Sequence, residues 1–243
     1  MRDWLTARPI AHRGLHDVSA GVIENTTSAF RAAIDGNYSI ECDLQISADG
    51  EAMVHHDDML GRLTNGAGRL DTMSAPALRR VPFKATADRM LTLGELCDLV
   101  AGRVGLVIEL KGTFAGDTRL AARTAAVLAG YRGPAAVMSF DPGLVGAMRT
   151  AAPALPRGLV AERRDADPAA PPPMSATRYL RQVLAARPQF LAYRVPDLTT
   201  PSPLIARHLL RWPLLTWTVR TASDRARAAR YADQMIFEGF RPQ

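Results

Sequence analysis

Short apolar runs alternate along this chain with longer amphipathic stretches, and the two periods predict strands and helices in turn. Residues 9–12 predict a first strand, and residues 28–34, with Ala29, Phe30, Ala33 and Ile34 at helical spacing, a first helix. Asn25 and Thr26 offer N-cap chemistry before it, and Gly36 a C-cap after it. Residues 39–44 predict a second strand, and the Asp49-Gly50 turn folds 52–55 back as a hairpin arm. Residues 58–90 are less regular, with Gly61, Gly66, Gly68, Pro76 and Pro82, and predict an excursion over the strand ends with a short helical stretch at 75–80. Beyond it, helices at 93–101, 118–129, 142–151, 176–186, 203–211 and 223–231 alternate with strands at 105–110, 135–139, 157–161, 190–194, 213–219 and 234–237. The four prolines within 165–173 predict an extended loop.

Eight main strands separated by helices predict a parallel α/β fold. At 243 residues the chain has the length of one (β/α)8 TIM barrel, a single domain over 1–243 with a small insertion after the second strand. A hydrophobic content of 47% supports a large core. The net charge of +6 comes mostly from arginines spread along the chain, with no basic block interleaved with aromatics, so no nucleic-acid partner is expected. The excess reads as solvated surface, with attraction to anionic substrates or lipid surfaces as the alternative. Cys42 and Cys97 form no CxxC and read as small buried side chains. The N-terminus lacks the apolar core of a signal peptide, and no apolar run reaches transmembrane length. The expectation is a cytoplasmic protein without a stable membrane anchor. No feature of the sequence specifies an oligomeric state.

Candidate chemistry gathers at the predicted strand ends, which converge on one site in a barrel of this kind. Glu41 and Asp43, two apart on a strand, leave the same face. Side by side they repel, and a divalent cation relieves them. Glu109 at the end of the next strand adds a third carboxylate, and an all-oxygen set suits Mg²⁺ or Ca²⁺ better than zinc. Lys111 shares the face of Glu109 and, with Arg13, could hold a phosphate beside the cation. His12 and one of His55 and His56 are candidate proton carriers, since strand geometry aims only one of that pair at the site. His16 and His208 read as structural or surface residues.

His12-Arg13-Gly14, Glu24-Asn25-Thr26 with Ala29-Phe30, Glu41-x-Asp43, Asp49-Gly50, His56-Asp57, Glu109-x-Lys111, Ser139-Phe140 and Trp217-Thr218-Val219 together resemble the glycerophosphodiester phosphodiesterase family. The match is ordered and runs over nearly the whole chain. The resemblance implies a TIM-type barrel, a cation held by Glu41, Asp43 and Glu109, and His12 and His56 as the acid–base pair. It also implies Arg13 and Lys111 on the substrate phosphate, and Trp217 is a candidate for the substrate pocket. The implied reaction is metal-dependent hydrolysis of a small-molecule glycerophosphodiester to glycerol 3-phosphate and an alcohol. Two further readings compete: a lysophospholipase D or sphingomyelinase-D-like lyase, with Met59, Leu60 and Leu63 seating an acyl chain, and a non-catalytic phosphoester binder. The chain departs from the family pattern at Ile23, at Arg220 after Trp-Thr-Val, and over 237–242. The expectation is that these departures touch neither the metal nor the histidines.

Overall fold

The computed structural model describes residues 4–163 and 176–242. Its strands are β1 (Ile10–Ala11), β2 (Ser39–Ile46), β3 (Ala52–Val54), β4 (Leu106–Leu110), β5 (Ala135–Ser139), β6 (Arg157–Ala161), β7 (Phe190–Arg194), β8 (Leu214–Val219) and β9 (Gln234–Phe237). All except β3 run parallel, and β1 pairs with both β2 and β9, Ile10 lying opposite Ser39 on one side and Ile236 on the other. The sheet therefore closes into an eight-stranded barrel with helices outside it, and β3 runs antiparallel along β2.

Alternation along each strand separates two cores. Inward positions such as Ile10, Val107, Met138, Val160, Phe190 and Ile236 fill the barrel, and Leu5 of the short helix Trp4–Ala7 packs with them. Outward positions such as Cys42, Leu44, Ile108 and Val137 meet helix residues Phe30, Leu96, Ala121 and Val145. Strands buried on both faces lose the polar alternation, which is why β4 reads as a continuous apolar run. Cys42 and Cys97 are free and buried.

Four local expectations change. Thr26 stands at the N-cap of the helix Thr27–Asp35, but its hydroxyl donates to the Ile23 carbonyl, and Asp88 from the excursion accepts from the Ser28 N–H. Gly36 is the C-cap as expected, its N–H reaching the Ala32 carbonyl, but it keeps right-handed backbone, and Asn37 takes the left-handed step at φ 60°. The helix expected over 203–211 is a short turn, Pro201–Leu204, widening into a π-helix at Ile205–Leu209. The excursion builds its own small core from Ile23, Met53, Leu60, Leu70, Leu78 and Phe83, with Leu63 packed against it. Leu60 is buried and Leu63 half-buried in this packing, Met59 is exposed, and Met59 and Leu60 also line a cavity of about 650 Å³ beside His56 and Lys111. The expected loop over 165–173 lies outside the described residues.

Candidate active site at the C-terminal rim of the barrel

Continuing the inward parity one step past the apolar layers brings polar side chains to one rim. In β2 the inward positions are Glu41 and Asp43, and the register sets Asp43 beside Glu109 of β4. One carboxylate oxygen from each of Glu41, Asp43 and Glu109 lies within 4.8 Å of the others, and all three residues are buried. Lys111 follows from β4 and places Nζ 2.8 Å from Asp43 Oδ1 and 2.6 Å from Glu109 Oε1.

Beyond β1 the chain turns sharply through left-handed backbone, Arg13 at φ 58° and Gly14 at φ 81°. A side chain at Gly14 would strike the Ala29 backbone, so glycine permits both the turn and the close approach. The turn aims the Arg13 N–H at Glu41 Oε2 (3.0 Å), while its guanidinium lies 3.3 Å from Asp43 Oδ2 and 2.7 Å from Glu24 Oε1. Asn25, also left-handed at φ 57°, donates from Nδ2 to Asp43 Oδ2 at 2.9 Å.

The electrostatics favour a further positive charge. Burial, together with the charges of Asp43 and Glu109, holds the Glu41 pKa well above the usual carboxylate range. Burial raises Glu109 as well, against the pull of Lys111. Burial alone would raise Asp43 too, but Lys111 and Arg13 outweigh it and hold that carboxylate ionised. Glu41 Oε1 is buried without a hydrogen-bond partner. An orphaned carboxylate oxygen beside two more carboxylates suits a hard divalent cation, so the residues present fit such an ion.

Each candidate histidine is held by a carboxylate. His56, just past β3, places Nδ1 2.7 Å from Asp57 Oδ1, and its carbonyl accepts from Gln45 Nε2 at 2.9 Å. Arg62 from the excursion donates to Asp57 and to Glu24, tying this rim together. His55 faces the other way, its ring centroid 6.4 Å from that of Phe83. His12 places Nδ1 2.6 Å from Glu238 Oε2, and Nε2 lies 3.9 Å from Glu41. Burial lowers the pKa of both His12 and His56, so both favour the neutral imidazole.

Glu238 corrects the expectation that the departures from the family pattern stay clear of the histidines. Arg220 holds its other oxygen, and His16 Nε2 lies 3.6 Å from the one facing His12, so His16 belongs to this network rather than to a bare surface. Burial disfavours the Glu238 charge, but the hydrogen bonds from His12 and Arg220, with His16 close by, outweigh it and keep the carboxylate ionised. The signal was present in the sequence: Glu238 follows the inward Ile236 by two, and barrel closure sets the last strand beside the first. Glu24, Asp57 and Arg62 likewise had no role assigned from the sequence, and Asn25 only that of a helix cap. Their contacts depend on loops meeting across the rim.

A cavity of about 470 Å³ opens over this cluster. His12, Arg13, Glu41, His56, Glu109 and Lys111 line it, with Asp43 buried behind them. Its apolar wall includes Trp217 and Phe140, whose rings meet edge to face at 5.5 Å. Trp217 Nε1 is buried there without a partner.

The chain is similar to the probable glycerophosphodiester phosphodiesterase 1 of Mycobacterium tuberculosis, 33% identical over 171 residues that make up 60% of this chain and 61% of that protein. It is 36% identical over 110 residues to a glycerophosphodiester phosphodiesterase of Caldanaerobacter subterraneus, covering 42% of this chain and 44% of that one. The matched stretches thus span less than two thirds of these curated relatives. In fold it resembles an Oleispira antarctica phosphodiesterase solved with the product sn-glycerol-3-phosphate, with a TM-score of 0.77 and 21% identity over 96% of this chain and 94% of that one. The model of the glycerophosphoryl diester phosphodiesterase family matches residues 12–239, from the first rim histidine to just past Glu238, and the chain belongs to that family.

Proposed function

We propose that this protein hydrolyses glycerophosphodiesters to glycerol 3-phosphate and an alcohol. The observation that carries the reading is the convergence of three buried carboxylates and two carboxylate-held histidines on one cavity. A divalent cation, Mg²⁺ or Ca²⁺, held by Glu41, Asp43 and Glu109 would supply positive charge against the phosphoryl oxygens. Arg13 and Lys111, both lining the cavity, would bind the phosphate and oppose the charge that develops on it. One histidine would take the proton of the attacking hydroxyl, whether water or the substrate's own glycerol hydroxyl. The other would deliver a proton to the leaving alcohol. Asp57 and Glu238 would fix the tautomers by accepting from Nδ1, leaving Nε2 of each ring for the substrate. Trp217 and Phe140 would exclude water from one wall. A phosphoester binder without turnover has no use for two carboxylate–histidine pairs, which favours the enzymatic reading. The buried, unpaired Cys42 and Cys97 suit a reducing compartment and support a cytoplasmic setting.

The test is turnover of glycerophosphocholine with and without chelator, in the parent and in His12→Ala and His56→Ala. Chelation and either substitution should each remove activity. Undiminished turnover in either variant would overturn the acid–base assignment.

A further inference from the structure

The chain's 30 Lys and Arg are spread along it, but its 24 acids are not. Residues 176–223 hold seven arginines and a single acid, Asp197, leaving 23 of each sign elsewhere, so the whole net charge of +6 belongs to this segment. Asp197 is itself buried and accepts from Arg194 Nε at 2.7 Å, which removes it from the surface. Arg194 and Arg220 line the barrel cavity. The other five arginines lie on the outside, in or just after the helix Ala176–Ala186 and in the helical run through 201–211; Arg207 pairs with Asp233, while Arg181, Arg187 and Arg211 are exposed.

The same two elements carry five of the seven exposed large apolar side chains among the described residues. Leu184 is 67% exposed and Leu209 74%, joined by Leu180, Ile205 and Leu210. Leu180 and Leu184, and Ile205 and Leu209, lie about one helical turn apart, so each pair stands on one stripe. The two elements are the crossovers before and after β7, consecutive around the outside of the barrel without packing closely on one another. Leucines and arginines thus share one flank.

We infer that this flank docks reversibly on an anionic lipid bilayer. Leucines that protrude among arginines match a membrane interface: the apolar side chains enter the headgroup–acyl boundary and the guanidinium groups meet lipid phosphates. A second copy of this chain fits poorly, because self-association would bring two positive flanks together. Among the described residues no helix is long and apolar enough to cross a membrane, so the contact is peripheral. It lies outside the cavity and does not depend on the reading of the active site.

The test is co-flotation with vesicles of equal parts phosphatidylcholine and phosphatidylglycerol, against phosphatidylcholine alone. The full chain should partition at least about tenfold more strongly to the anionic vesicles, and less so as salt is raised. The double variants Leu184→Ser/Leu209→Ser and Arg181→Gln/Arg211→Gln should each cut that partition about tenfold, with circular dichroism, melting and turnover of a soluble substrate unchanged. Equal binding to both vesicle types, no binding to either, or parent-like binding by both variants would overturn the inference. Failure to float together with a concentration-dependent dimer, lost in the leucine variant, would also overturn it and assign the flank to self-association.

Discussion

Substituting Glu238 by glutamine isolates one contact, the 2.6 Å approach of its carboxylate to His12 Nδ1. The residue keeps its shape and loses its charge. Glu238 serves His12 through one oxygen and Arg220 through the other, and both partners act as donors in the proposed arrangement. A glutamine has one oxygen to offer and must turn its NH2 toward one of them. Facing Arg220 it sets donor against donor; facing His12 it forces Nδ1 to accept and moves the ring proton to Nε2, beside Glu41. A hydrogen bond to a charged partner contributes about 1.5–3 kcal/mol, which predicts a fall in kcat of about 10–100-fold with KM changed less than about twofold. The Arg220 side chain is 57% exposed, and an ion pair so open to solvent contributes at most about 1 kcal/mol, so Arg220→Ala should lower kcat by no more than about fivefold. Glu238→Asp retains the charge and should recover part of the loss. The pH profile supplies a sign. The Glu238 anion favours the protonated form of His12, so removing it lowers that pKa, and whichever limb of the profile His12 governs should move to lower pH. Steady-state turnover of glycerophosphocholine across pH provides the measurement. A kcat within about twofold of the parent, or a limb that moves to higher pH, would refute the positioning role.

Three other outcomes follow from the same geometry. A divalent cation at a hundred times its Kd should stabilise the fold by about 2.7 kcal/mol, raising Tm by about 5–10 °C for a chain of this size; the shift should vanish in Glu41→Gln, and scanning calorimetry reads both. Asn25→Ala removes a hydrogen bond to the ionised Asp43 and puts alanine at φ 57°, so unfolding in urea should show a loss of about 3 kcal/mol. Gly158 faces the barrel interior, where an added Cβ would overlap the Phe190 ring; Gly158→Ala should cost about 1–3 kcal/mol of stability in the same assay.

How much of this was legible in the sequence depends on the range of the forces involved. Strand parity is fixed by the covalent geometry of extended backbone. Glu41-x-Asp43 and Glu109-x-Lys111 therefore announced shared faces before any fold was known, and Cys42 announced the opposite one. The alternation of short apolar runs with amphipathic stretches likewise carried the barrel, since parallel strands buried on both faces need helices to cover them. Parity left the choice between His55 and His56 open and the family pattern pointed to His56, which lines the cavity while His55 turns toward Phe83.

Other features belong to contacts between distant segments. Closure sets β9 beside β1 and so brings Glu238, 226 residues away in the chain, onto His12. Asp88 caps a helix 60 residues earlier, in place of the local Thr26 hydroxyl. Leu60 is buried in a small core that the excursion assembles only on folding, with Leu63 packed against it. In each case the sequence supplied the side chain and its face. The partner was decided by which loops and strand ends met in space, because a hydrogen bond or a buried methyl group responds to the neighbour the whole fold delivers and not to the neighbours along the chain.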